Sequence, residues 1–331
     1  METVKILFTV AVVTFVLTAI FTKRLIPFLK KKKMGQKILE IGPGWHKKKE
    51  GTPTMGGLGF VLAISISFIF YSIFFARNTE IKTFLTIINV YIYGILNCLV
   101  GVIDDIAKYK KNQNLGLTPK GKLLLQSIFT VAFLWLQTSF VGVSTVIEIP
   151  FTRHEIEFGP LYYVLMFLIL CGITNAVNLT DGLDGLASTC VMTVGAFLSI
   201  CGVVLTENNG LSFFGGCLLG ATLGFLVYNL HPAKVFMGDT GSLFLGAVVA
   251  SSSFLFENPI VVMMYGFVFV FEAITVVMQV LFFKITRGKR LFKMAPFHHH
   301  LEKSGFSEMK IVVIFGVLSM LFCITAGWSI I

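Results

Sequence analysis

The chain has 331 residues, 55% hydrophobic and 13% charged, with a mean hydropathy of +0.84 and a formal net charge of +10. A soluble protein of this size could not cover so much apolar surface with so few charges. The composition therefore excludes a soluble enzyme and predicts an all-α polytopic membrane protein, a single domain over residues 1–331. The positive balance needs no nucleic-acid partner, because membrane proteins concentrate Lys and Arg on one side, facing anionic membrane lipid.

Apolar runs of roughly 17–25 residues can cross a bilayer. They lie near 5–22, 55–75, 83–103, 123–142, 160–179, 187–206, 212–230, 242–257, 260–283 and 311–330, which predicts ten transmembrane helices. The first run is no signal peptide: its basic cluster (Lys23, Arg24, then Lys30 to Lys33) follows the run, and no small-residue cleavage site appears. It is read as a retained span with its N-terminus outside. The eighth run is short and ends in a tight turn at Glu257, Asn258 and Pro259.

With that start, the cytoplasmic loops are 23–54, 104–122, 180–186, 231–241 and 284–310. Of 27 Lys and Arg, all but Lys5, Arg77, Lys82 and Arg153 fall on that side, which orients the chain with both termini outside. Residues 143–159 alternate apolar and polar side chains, predicting a small β-hairpin on the outer surface, with an irregular loop as the alternative. The six cysteines all lie inside apolar runs without metal-ligand spacing, so they are read as small buried hydrophobes and no disulfide is predicted.

The five aspartates, Asp104, Asp105, Asp181, Asp184 and Asp239, sit in or beside three breaks on the cytoplasmic side. A cation holding phosphates has use for such a set, since Mg²⁺ takes carboxylate oxygens together with substrate phosphate. Asp104 and Asp105 are adjacent and repel unless a cation is close, and Lys108 lies one helical turn after Asp104. In Asn178-Leu179-Thr180-Asp181-Gly182-Leu183-Asp184, a continued helix would place Asn178, Asp181 and Asp184 on one face. That loop carries no Lys or Arg, so topology alone does not account for it.

The third break runs from Asn229 to Ser242. Pro232 ends a helix, and Gly238 and Gly241 flank Asp239 at the start of the next, where free amide donors suit a phosphate and the carboxylate its metal. Phe236 is an aromatic in an otherwise small, polar loop, which suits stacking on a base. His298, His299 and His300 follow Ala295-Pro296-Phe297 in a basic loop. Adjacent histidines rarely converge on one zinc ion, so they are assigned to phosphate or proton-transfer contacts. Lys47 to Lys49, Thr54, Lys120 and Lys122 stand in other polar turns, where topology is a sufficient explanation for the lysines. Glu272 and Gln279, seven apart on one face of the ninth run, suit helix–helix hydrogen bonding.

Taken together, KKKEGTPTMGG (Lys47–Gly57), GVIDDIAK (Gly101–Lys108), LTPKGK (Leu117–Lys122), NAVNLTDGLDGLA (Asn175–Ala187), VFMGDTGSL (Val235–Leu243) and APFHHHLE (Ala295–Glu302) resemble the polyprenyl-phosphate sugar-1-phosphate transferases. The likeness runs over essentially the whole chain. The uninterrupted triple His is similar to members that take UDP-N-acetylmuramoyl-pentapeptide; members using UDP-N-acetylglucosamine are the alternative. The resemblance implies transfer of the phospho-sugar to undecaprenyl phosphate, release of UMP, a need for Mg²⁺, a bacterial plasma membrane location and a homodimer. It implies that Asp239 binds the metal, that Asp104, Asp105, Asp239, Lys120 and His298 serve catalysis, that Asn178, Asp181, Asp184, Asn229 and Phe236 line the nucleoside pocket, and that Gly182, Leu183 and Gly238 also bind substrate. Lys49, Thr54, Lys108, His299 and His300 are then polar groups around the cleft. A direct transfer and a two-step route through a phospho-aspartate both fit these residues. An ion transporter is the rival from another class, but there the acids should lie near the midplane, and Glu272 is the one acid deep in a run.

Overall fold

Without water to bond free amides, an apolar chain satisfies its backbone internally, and these runs fold as helices for that reason. In the computed structural model, residues 1–32, 49–111, 116–256 and 258–331 are described. Lys33, Lys47, Lys48 and the turn residue Glu257 lie outside them. The helices are α1 (Glu2–Lys31), α2 (Gly57–Phe74), α3 (Ile81–Lys111), α4 (Pro119–Leu136), α5 (Leu161–Thr180), α6 (Leu186–Ile200), α7 (Asn209–Asn229), α8 (Gly238–Ser251), α9 (Val262–Tyr265), α10 (Phe267–Ile285), α11 (Phe297–Glu302) and α12 (Glu308–Trp328). Strands β1 (Val146–Ile149) and β2 (His154–Glu157) pair antiparallel within the predicted hairpin segment, Val146 opposite Glu157 and Ile149 opposite His154. All six cysteines are buried and free.

Among the described residues, nine helices are long and apolar enough to span a membrane. The predicted eighth span is α8, only 14 residues, followed by one 3₁₀ turn at Ser252–Leu255. At 1.5 Å per residue it is about 21 Å long, short of the ~30 Å hydrocarbon core. Every residue from Thr240 to Ser251 is buried, with α3 and α5 packed along it. A helix enclosed by protein need not match the bilayer thickness, because its ends meet polar side chains rather than lipid. The predicted ninth span is broken at Gly266 into α9 and α10. Two helices outrun the apolar runs that announce them: α1 continues to Lys31 and α3 to Lys111, so Asp104, Asp105 and Lys108 are helical.

The centre of the bundle is α7, 83% of whose apolar window is buried against α1 and α6. Its glycines allow that approach. A Cβ at Gly216 would lie 3.0 Å from the Leu7 carbonyl, and one at Gly224 would lie 2.7 Å from the Phe15 carbonyl. Small residues at such crossings gain van der Waals contact where lipid offers no hydrophobic drive. Between α3 and α4 the adhesive is polar: Asn89 donates to the Gln137 side chain at 2.8 Å, Gln137 donates to Thr86 at 2.9 Å, and the Tyr93 and Thr130 hydroxyls meet at 2.9 Å.

Replacing Gly224 by Ala should lower stability by about 1–3 kcal/mol, because backbone cannot yield as a flexible side chain can. Gly172 on α5 has nothing within 4 Å of its Cβ position, so Gly172→Ala should be neutral or stabilising by up to about 1 kcal/mol. Thermal unfolding of both variants in one detergent checks the pair.

Candidate active site

Two helices bring the acidic groups together. Asp104 and Asp105 stand near the end of α3, and Asp239 stands in the first turn of α8. The helices touch at Gly101, where a Cβ would run into the Asp239 carbonyl. Asp105 then caps α8 from outside its own chain segment. Its carboxylate accepts the Asp239 N–H at 3.2 Å, the Thr240 N–H at 2.9 Å and the Thr240 hydroxyl at 2.7 Å. These satisfy donors that a helix start leaves free. Gly238 precedes with φ +70°, and a Cβ there would lie 2.6 Å from the Asp105 carboxylate and 2.8 Å from the Thr54 hydroxyl. Only glycine suits that turn.

Carboxylate oxygens of Asp104, Asp105 and Asp239 all lie within 4.8 Å of one another. Two ammonium groups offset the repulsion. Lys108 reaches Asp104 at 2.7 Å and Asp239 at 3.2 Å, and Lys122 reaches Asp239 at 2.7 Å. Lys122 also donates to Asn178 at 3.3 Å, while the Asn178 amide donates to Asp239 at 3.2 Å and to Ser242 at 2.7 Å. Asp104 further accepts the Leu117 N–H at 2.7 Å, which holds the start of the 116–122 turn against α3. An all-oxygen, three-carboxylate donor set fits a hard divalent cation such as Mg²⁺, which is bound through one or two carboxylates plus substrate phosphate.

A second cluster ties three loops to α12. Asp184 is buried and accepts Lys49 at 2.8 Å, the Ala233 N–H at 3.0 Å and His231 Nδ1 at 3.0 Å. Glu308, in the first turn of α12, accepts Lys49 at 2.6 Å. The shared face expected for Asn178, Asp181 and Asp184 therefore does not form. Helix α5 stops at Thr180, Asp181 leaves helical geometry with ψ 45°, and Gly185 turns back at φ +80° to start α6. Asn178 faces Asp239, whereas Asp184 faces Lys49 and His231. Between them Asp181 is half-buried. Burial, then the negative charges of Asp239, Asp105 and Asp184, push its carboxyl well above the ordinary carboxylate range.

The remaining predicted residues divide between exposed, structural and cleft positions. Asn229 is buried and has both ends engaged, accepting from Ser188 at 3.0 Å and donating to the Val235 carbonyl at 3.0 Å; it closes the α7–α8 loop. Phe236 is half-buried, and its backbone is strapped to the 51–57 turn: its N–H donates to Pro53 at 2.9 Å and its carbonyl accepts from Gly56 at 2.8 Å. Leu183 is buried. Lys120 is exposed on the first turn of α4, and its ammonium stands outside the ion pairs with Asp239. Two residues apart on a helix start, Lys120 and Lys122 project to opposite sides, and Lys122 is the one facing the acids. The three histidines have different partners, although the His298 and His299 rings are adjacent, with centroids 4.2 Å apart. His298 pairs with Glu272 through Nδ1 at 2.7 Å, His299 with Glu302 at 3.0 Å, and the His300 ring stacks on Phe297 at 5.2 Å.

Sequence reasoning gave the catalytic role to Lys120 rather than Lys122 and did not single out His231 or Glu308. For Lys122 the available signal was helical phase after Pro119. For Glu308 it was an acid directly after Ser307, which caps α12 by accepting the Lys310 N–H at 3.4 Å.

Asp105→Asn should cost both stability and activity. An amide nitrogen turned toward three donors leaves at least one of them unmet, about 1–3 kcal/mol for a buried group. Thermal unfolding alongside a turnover assay checks it, and a variant that loses activity at unchanged melting temperature would contradict the capping role.

A model for glycosyl transferase family 4 matches residues 87–257, the stretch from the second turn of α3 past the end of α8. The chain is 45% identical to phospho-N-acetylmuramoyl-pentapeptide-transferase of Halalkalibacterium halodurans over 97% of both chains. It is 44% identical to that of Anoxybacillus flavithermus over 96% of each. Against that of Staphylococcus carnosus it is 42% identical, covering 97% of this chain and 98% of the relative. With these likenesses running nearly end to end, the chain belongs to the phospho-N-acetylmuramoyl-pentapeptide-transferase family.

Proposed function

We propose that the protein transfers phospho-N-acetylmuramoyl-pentapeptide from its UDP-linked donor to undecaprenyl phosphate, forming lipid I and UMP in peptidoglycan synthesis. The observation that carries this reading is the cluster of Asp104, Asp105 and Asp239 interleaved with Lys108 and Lys122. It offers both signs of charge at one point, as a reaction between two phosphates requires.

The nucleophile is a phosphate monoester, whose second pKa is near ~6, so at neutral pH a general base has little to remove. Bringing two anions together is the harder task. Lys108 and Lys122 neutralise and orient them, and Asp104 directs the acceptor phosphate or takes its residual proton. Asp239, with Asp104 beside it, would hold Mg²⁺, which when bound supplies charge neutralisation at the donor's phosphates. Phe236 stacks on uracil, and Asn178, Asp181 and Gly182 line the same side of the cleft. Lys49, Asp184 and Asn229 support that cleft by joining its loops. His299, His300 and Lys120 are assigned to its rim.

The wider reading is a ten-span protein of a bacterial plasma membrane with both termini outside, the β1–β2 hairpin outside and the site on the cytoplasmic face. The distribution of Lys and Arg between loops supports it. A homodimer is part of the same reading, on family resemblance. The acceptor's isoprenoid tail is assigned to the lipid-facing side of α10. A cavity of about 360 Å³ opens there between Val276, Val280 and Phe283, with Lys284, Arg290 and Lys303 around it. Each buried CH₂ contributes ~0.8 kcal/mol, so the tail anchors itself without polar contacts.

Purified protein in detergent, given polyprenyl phosphate and either UDP-N-acetylmuramoyl-pentapeptide or UDP-N-acetylglucosamine, should release UMP with the first donor only; release with the second alone would overturn the donor assignment. Asp239→Asn should reduce turnover about 100-fold or more, by analogy with losing one charge-stabilising group. Wild-type turnover and unaltered Mg²⁺ dependence in that variant would remove Asp239 as a ligand. Phe236→Ala should weaken UMP binding by about 1–3 kcal/mol, read by calorimetry, as loss of one base–aromatic stack does.

A further inference from the structure

One polar atom facing the cleft lacks a partner. His298 and Glu272 are both fully buried, one on α11 and the other inside α10. Glu272 holds His298 at two points: one carboxylate oxygen lies 2.7 Å from Nδ1, and the other accepts the His298 N–H at 3.2 Å. The opposite ring nitrogen, Nε2, is buried with no hydrogen-bond partner. It points at Gly182, in the turn between α5 and α6. A Cβ on Gly182 would collide with Nε2 before any other atom, and would also lie 3.3 Å from His299 Nε2. The missing side chain is what lets the ring edge reach that turn.

Charge decides what Nε2 carries. Each of these two groups is the other's only ion-pair partner among the described residues. One proton lies between carboxylate and Nδ1, whichever atom holds it. With that proton alone, the buried pair would bear a net negative charge, which is costly without a counter-ion. The net-neutral pair carries a second proton, and the site left for it is Nε2. Its N–H then has no acceptor among the described residues, and the neighbouring turn is one of those assigned to the donor's cleft.

We propose that Glu272 is a positioning residue that holds His298 with its Nε2–H directed past Gly182, as a hydrogen-bond donor to a phosphate oxygen of the UDP-linked substrate. A carboxylate in the middle of a transmembrane helix is thereby connected to the chemistry. The inference rests on the transferase reading for its substrate, but not for the protonation of the ring.

The decisive variant is Glu272→Gln. The volume is kept, but one amide oxygen replaces two carboxylate acceptors. Nδ1–H and the His298 N–H can no longer both be met, so the ring loses one of its two anchors. Turnover should fall about 100-fold, the scale of one lost transition-state donor, with KM for polyprenyl phosphate unchanged. His298→Gln supplies an amide donor near the Nε2 position without needing Glu272. It should retain part of the activity, and Glu272→Gln added to it should cost nothing more. In ¹⁵N-histidine-labelled protein, the His298 Nε2 signal should be that of a protonated nitrogen in the wild type. An unprotonated Nε2 in the wild type overturns the proposal. So does an equal loss from Glu272→Gln in the wild-type and His298→Gln backgrounds, which would make Glu272 a packing residue. If Glu272→Gln does not fold, the wild-type spectrum alone decides. Wild-type protein that releases no UMP would overturn the transferase reading instead, and the imidazole spectrum would still judge the pair.

Discussion

The arrangement depends on Asp105 closing the N-terminus of α8. Three carboxylates within 4.8 Å of one another repel, so something must hold them there. Part of the hold is electrostatic, from Lys108 and Lys122. The rest is the set of three hydrogen bonds by which Asp105 fixes Asp239 and Thr240. A helix start needs acceptors, and an acid on a neighbouring helix supplies them. The same bonds set the height of Asp239 against α3, and so its distance from Asp104. Fold and site share one interaction, and for that reason Asp105 and Asp239 are not equivalent acids.

The shortness of α8 follows from the same constraint. Its N-terminus is anchored at the polar cluster, and its body is enclosed by α3 and α5. A longer helix would push Asp239 beyond the lysines or require the far end to rise out of the protein. Glycines in its partners permit the enclosure, Gly101 on α3 above all, since it removes the side chain that would keep the Asp239 carbonyl away. Elsewhere the bundle uses the same device at a distance from the chemistry, along α7 against α1. Close helix crossings therefore serve bundle packing along α7 and site geometry at Gly101.

Much of this was legible in the chain. Hydropathy located the apolar part of the long helices, because backbone satisfaction in lipid leaves little alternative to helix, although α1 and α3 run on well past it. The i, i+4 spacing of Asp104 and Lys108 foretold their 2.7 Å contact. The limits are equally physical. Where a helix stops depends on tertiary contacts, so the expected stripe of Asn178, Asp181 and Asp184 was lost to a turn at Gly182 and Gly185. Which of two nearby lysines faces an acid depends on helical phase from an unknown start, and Lys122 rather than Lys120 bonds Asp239. The break at Gly266 left no trace in hydropathy, because both sides of it are apolar. Asn229 read as a ligand-facing amide, yet its carbonyl accepts from Ser188 on α6 and its amide donates within the α7–α8 loop.

The two acidic clusters also explain why the loops can be so different in charge. Asp184 gathers Lys49, His231 and Ala233, and Glu308 shares Lys49 with it, so the 49–57 turn, the α5–α6 turn, the α7–α8 loop and α12 meet at one buried carboxylate. The Asp239 cluster gathers α3, α4, α5 and α8. Each cluster joins elements far apart in sequence through charge-assisted hydrogen bonds, the strong kind, in surroundings that exclude much of the water. Breaking one member of either leaves a partly buried charge behind. A polar surface built in this way is held in place by contacts among its own charged groups, and fixed dipoles and charges of that kind need no reorganisation to do electrostatic work.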